Sequence, residues 1–148
     1  MSSITPNPSA SQQSNVTNWK EIDLSTPEGL RELDKHISMR LGYTIETDQV
    51  APKTVIHYLC INGKRSQSSY GIDISVVWKT FAPRFTADVN TALKLVDYTK
   101  ASFRLDSNAP GWWRAWFSPM GTMKNADTPA LAICLAWLDW QDANGGQS

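Results

Sequence analysis

His36, His57, Cys60 and Cys134 are the residues of this chain with the widest chemical repertoire, and their spacing suits little of it. No CxxC or HxxxH spacing occurs, so no zinc site is expected. His57 and Cys60 lie three apart in a stretch that reads as a strand. Alternation sends them to opposite faces, which argues against a Cys–His dyad. Cys134 stands in an apolar helix and reads as a small core residue. There is no phosphate-binding P-loop, no GxGxxG after a strand, no GxSxG and no HExxH. The expectation is a protein that is not an enzyme and carries no metal and no cofactor. What the chain has in excess is tryptophan, 7 in 148 residues. Three of them fall in Trp112-Trp113-Arg114-Ala115-Trp116-Phe117, around a single arginine. Tryptophan serves both cores and stacking platforms.

The length suits one domain large enough to bury a core without staples. With 14 Lys+Arg against 14 Asp+Glu the formal net charge is +0, which removes the main electrostatic argument for DNA or RNA binding. No apolar run approaches a membrane span, and no signal segment opens the chain, so a soluble cytoplasmic protein is expected. Residues 1–18 are rich in Ser, Gln, Asn and Pro and read as a disordered tail. Residues 19–142 read as one folded domain, and 143–148 as a frayed end.

Within the domain, Thr26 caps a first helix that begins at Pro27. Leu30, Leu33, Ile37 and Leu41 form its apolar stripe, and Gly42 closes it. Thr54 to Ile61 is β-branched and aromatic, and Asn62-Gly63 is a strong turn signal. Lys64 to Ser69 reads as a polar loop, and Gly71 to Trp78 as a second strand. Thr86 is the expected cap of a second helix carrying Val89, Ala92, Leu93 and Val96. Lys100 to Asp106 and Trp112 to Phe117 read as a hairpin with a five-residue loop. In its second strand Trp112, Arg114 and Trp116 share one face, and Trp113, Ala115 and Phe117 the other. A polar loop, Ser118 to Asp127, leads to a last helix capped by Thr128. That helix is apolar on every side, as a central core helix or an interface helix would be. Helices layered on an antiparallel sheet give an α+β fold, an αβα sandwich in a single small domain.

Three segments in this order and spacing resemble the phage ABA sandwich domain family. They are Leu30-Arg31-Glu32-Leu33-Asp34-Lys35-His36-Ile37-Ser38-Met39-Arg40-Leu41-Gly42-Tyr43, then Pro83-Arg84-Phe85-Thr86-Ala87-Asp88-Val89-Asn90-Thr91-Ala92, then Thr128-Pro129-Ala130-Leu131-Ala132-Ile133-Cys134-Leu135-Ala136. The match spans about Leu30 to Asp139. Two departures stand out: the strand pair around Tyr58 and Trp78 is longer than in the family, and Leu135 stands where many members carry arginine. The resemblance implies a protein similar to the Thoeris anti-defence sponges. Those are homo-oligomers, here expected to be dimer-based, that hold a cyclic ADP-ribose isomer made by a host immune enzyme without cleaving it. Some also hold cyclic oligonucleotides, and they act in the host cytoplasm.

Such a sponge needs a purine-stacking surface and cations for the pyrophosphate. Arg114 flanked by Trp113 and Phe117 is the leading candidate. Arg84 and Phe85 before a helix N-terminus, Arg40, Asn90, and the Lys64-Arg65 pair complete the expected ligand-binding set. Two alternatives stay open. One is a protein-interaction module that inhibits a host defence enzyme through an aromatic patch. The other is an enzyme that cleaves the nucleotide.

Overall fold

The computed structural model describes residues 18–70, 74–119 and 121–144. Most of the expected N-terminal tail, and the last four residues, lie outside the described residues. After a single 3₁₀ turn at Trp19–Glu21, the order is α1 (Pro27–Arg40), β1 (Tyr43–Ala51), β2 (Thr54–Ile61), β3 (Lys64–Tyr70), α2 (Ile74–Phe81), α3 (Val89–Thr99), β4 (Ser102–Ala109), β5 (Trp112–Ser118), β6 (Lys124–Ala126) and α4 (Pro129–Ala143). The class is α+β. The strands form two antiparallel three-stranded meanders, β1-β2-β3 and β4-β5-β6. Among the described residues no helix is long and apolar enough to cross a membrane.

The helix ends show why local chemistry placed two helices well. Thr26 accepts a hydrogen bond from the Gly29 amide, and Thr128 accepts one from the Leu131 amide, each with Pro at the first helical position. Gly42, at φ +96°, turns the chain out of α1 into β1. Gly29 has a different reason to be glycine: a Cβ there would fall on the carbonyl oxygen of Asp23. Gly29→Ala is therefore expected to cost about 1–3 kcal/mol through overpacking, read as a lower melting temperature. An unchanged melting temperature would mean that the Asp23 turn yields freely.

α4 is the central core helix. Ala130, Leu131, Ala132, Ile133, Cys134, Ala136, Trp137 and Leu138 are all buried within the chain. It packs on β5, β6 and α3. Leu33 and Ile37 of α1, Phe85, Leu95 of α3, and Ala115 and Phe117 of β5 join it in one cluster. A second cluster lies under the first sheet, where Leu59 meets Val77, Trp78 and Ala82.

Four expectations are corrected. The segment read as a second strand is helical from Ile74; residues 71–73 lie outside the described residues. Ile74, Val77, Trp78 and Phe81 recur at i, i+3, i+4 and i+7, and all four meet the second cluster. Lys64 to Ser69 is not a loop but most of β3, an edge strand. Asn62 and Gly63, at φ +53° and +82°, make a tight turn that returns the chain against β2, and backbone pairing at an edge needs no apolar side chains. Asp88, not Thr86, caps α3, its carboxylate accepting from the Asn90 amide. The β4–β5 loop is also shorter than expected, because pairing extends to Ala109 and Trp112 around Pro110-Gly111.

Candidate functional site

A cavity of about 430 Å³ opens where four stretches of chain converge. The end of α1 and the turn into β1 bring Arg40, Leu41 and Tyr43. The end of β2 brings Ile61 and Asn62, and the end of α3 brings Tyr98 and Thr99. Trp137, Trp140 and Gln141 line it from α4 at i, i+3 and i+4, one face of that helix. The volume lies in the range of small-molecule sites. Four of the ten lining residues are Tyr or Trp, and the single formal charge among them is Arg40. Burial, and then the neighbouring Tyr98 phenol, push the Tyr43 phenol up, which keeps it neutral.

Arg40 is held from three directions. Its Nε donates to His36 Nε2 at 2.9 Å and its Nη1 to Gln141 Oε1 at 3.2 Å. Its Nη2 pairs with Asp142 Oδ1 at 3.0 Å. The other oxygen of Asp142 accepts from the Trp19 indole at 2.9 Å, so the carboxylate is itself anchored. His36 is buried, and burial, assisted by the Arg40 charge, pushes its pKa down to about 4. A neutral ring with Nε2 as acceptor places its proton on Nδ1, which is buried and has no partner among the described residues.

Of the nine residues expected to bind ligand, Arg40 alone lines this cavity. Strand alternation separates the leading group. Phe117 is fully buried, its ring 4.9 Å from Phe103 and 6.2 Å from Trp140, and Trp113 leans half-buried into the same cluster. Arg114 points from the opposite face of β5, where its Nε donates to Asp106 Oδ1 at 2.9 Å across the strands. Its companions on that face are Trp112, exposed, and Trp116, which lies beneath Arg104 at 5.4 Å. Phe85 is buried in the core and offers no stacking surface, whereas Arg84 is exposed in the turn before α3. Asn90 is exposed on the first turn of α3. Lys64 is exposed, and Arg65 is committed to Glu46 and Asp48 at 3.0 Å each while stacking on Tyr58 at 3.9 Å.

The residues missed from the sequence are Tyr43, Asn62, Tyr98, Trp137, Trp140 and Gln141. A signal existed for the α4 set, since Trp137, Trp140 and Gln141 share a helical face with a polar end. Nothing local joins them to Tyr98 or Asn62. Cys60 and Cys134 are both buried, and burial pushes the Cys134 thiol well up, as expected of a core residue. Among the described residues no group of three or more His, Cys, Asp or Glu is placed to hold a metal ion.

No protein-family model matches the chain, and no curated protein sequence matches it. Among solved structures it is similar to a phage protein from Bacillus cereus ATCC 14579, at 17% identity and a TM-score of 0.47, with 74% of this chain and 89% of that chain covered.

Proposed function

We propose that this is a phage protein that binds a cyclic nucleotide signal and holds it without cleavage. A cyclic ADP-ribose isomer of the Thoeris type is the first candidate, cyclic oligonucleotides are the second, and the setting is the host cytoplasm. The signal and the setting rest on the resemblance to the phage ABA sandwich family. The observation that supports ligand binding is the cavity at Arg40, walled by Tyr43, Tyr98, Trp137 and Trp140. The binding centre thus moves from Arg114 to Arg40. Homo-oligomerisation belongs to the same proposal and is checked by light scattering on the eluting protein.

The test is uptake followed by release. Protein is mixed with cyclic ADP-ribose, the free pool is measured, and the protein is then heat-denatured. Depletion followed by return of intact signal supports a sponge, and altered signal would make the protein an enzyme. Tyr98 is more than half exposed, so Tyr98→Ala spares the core. Loss of one stacking contact is worth about 1–3 kcal/mol, so uptake by this variant is expected to weaken roughly 5- to 150-fold. Undiminished uptake by Tyr98→Ala would remove the cavity from the binding site.

One observation favours a second reading, the protein-interaction module. Trp112, Trp116, Arg104 and Arg114 share the face of β4 and β5 that turns away from α4, and Trp112 is 42% exposed. No depletion of any nucleotide, together with loss of host-enzyme inhibition in Trp112→Ala, would favour it.

A further inference from the structure

We infer that the cavity is a nucleobase site: it takes the uncharged heterocycle of its ligand, the Asn62 amide reads the ring's hydrogen-bonding edge, and any phosphate stays outside. The inference deepens the binding reading above and rests on it. The argument begins with charge. Arg40 is the single formally charged residue lining the cavity, and each of its three guanidinium nitrogens is bonded within the protein. Its charge is matched by Asp142, and the Trp19 indole holds that carboxylate in place. A phosphate entering here would shed its water against a guanidinium whose charge Asp142 already neutralises, which disfavours an anion.

An uncharged planar ring meets the opposite conditions. Tyr43, Tyr98 and Trp140 supply flat apolar surface to stack on, with the buried Trp137 behind them, and stacking is indifferent to ligand charge. Among the polar side chains of the lining, the two amides carry a donor and an acceptor side by side in one plane, as a ring edge requires. Gln141 Oε1 is already occupied by Arg40, which leaves that side chain mainly as a donor. The Asn62 amide makes no hydrogen bond among the described residues, so it retains both a donor and an acceptor, the pair that reads the N6/N7 edge of adenine. Asn62 is held at the cavity by the tight turn it forms with Gly63, at φ +53°.

That backbone geometry supplies a clean variant. Glycine adopts a positive φ at no steric cost, so Asn62→Gly deletes the amide and keeps the turn. Calorimetry with adenosine, inorganic pyrophosphate and cyclic ADP-ribose makes the test. Adenosine is expected to bind with an affinity that changes little with salt, and pyrophosphate to leave adenosine binding unaffected. Asn62→Gly is expected to weaken adenosine about 5- to 150-fold at an unchanged melting temperature. The inference is overturned if pyrophosphate displaces cyclic ADP-ribose while adenosine does not, or if Asn62→Gly binds adenosine as the parent does. Adenosine binding without cyclic ADP-ribose binding would support the nucleobase site and sink the signal assignment. Cyclic ADP-ribose binding that adenosine cannot compete would do the reverse.

Discussion

Asp34→Ala is expected to lower stability by about 3–5 kcal/mol, the usual cost of stripping one partner from a buried ion pair. Asp34 is fully buried on α1, with Oδ2 2.6 Å from Arg31 Nη1 and Oδ1 accepting from the Thr86 amide at 2.8 Å. Arg31 in turn donates to the carbonyls of Lys79, at 2.5 Å, and Ala82, at 2.9 Å, at the end of α2. Two side chains one turn apart thus pin α1 to the end of α2 and to the entry of α3. Burial pushes the Asp34 carboxyl up, with the Thr86 amide and Arg31 pulling the other way, so desolvation is the larger effect. The pair is a costly joint rather than a net gain, yet removing half of it leaves a guanidinium without its counter-ion and a buried amide without an acceptor. Urea unfolding of Asp34→Ala reads the effect. Arg31→Met combined with Asp34→Leu is expected to recover part of it, because an apolar pair restores packing but cannot hold the Lys79 and Ala82 carbonyls. A loss below about 1 kcal/mol in the single variant would mean that water replaces the carboxylate, and the joint would lose its assigned role.

The same joint marks the boundary of what the sequence made legible. Helices α1 and α4 were readable because Thr26-Pro27, Gly42 and Thr128-Pro129 act on their own neighbours. The turns at Asn62-Gly63 and Pro110-Gly111 were readable for the same reason. Thr86 was misread as a cap because its type suits one. Its hydroxyl and amide are instead spent on Leu30 and Asp34, more than fifty residues away. The helix Ile74–Phe81 was hidden by the alternation of the residues before it, although its own i, i+3, i+4, i+7 stripe was present. Strand alternation correctly divided Trp112, Arg114 and Trp116 from Trp113, Ala115 and Phe117. Grouping Arg114 with Trp113 and Phe117 as one site set that division aside. The cavity was the least legible feature. Arg40 was visible as a cation in the last turn of α1, but its surroundings come from four stretches that only tertiary packing joins. Trp137 and Trp140 do pack α4 into the body, and they border the cavity as well.

Acidification from pH 6.5 to 4 is expected to remove about 3 kcal/mol of stability through His36 alone. Its pKa is pushed down to about 4 in the folded chain, against about 6.5 when unfolded. Between those values the unfolded chain binds more protons, so stability rises with pH. The contribution is fully present above about 6.5 and is lost as pH falls through about 4. The raised carboxyl of Asp34 works in the opposite sense, lowering stability as pH rises through its own titration. His36→Gln keeps an acceptor near Arg40 and removes the titrating ring, so comparing the two proteins isolates the histidine. The variant's unfolding free energy should be markedly flatter between pH 4 and 6.5. Parallel profiles would show that His36 charges freely in the folded state. The cavity should respond at lower pH than stability does, when the folded-state His36 itself charges near pH 4. A protonated His36 has no lone pair for the Arg40 Nε and adds a second cation beside it, so the contact that orients Arg40 at the cavity is lost. Ligand affinity of the parent protein is therefore expected to fall as pH drops through about 4, and that of His36→Gln to change far less across the same range.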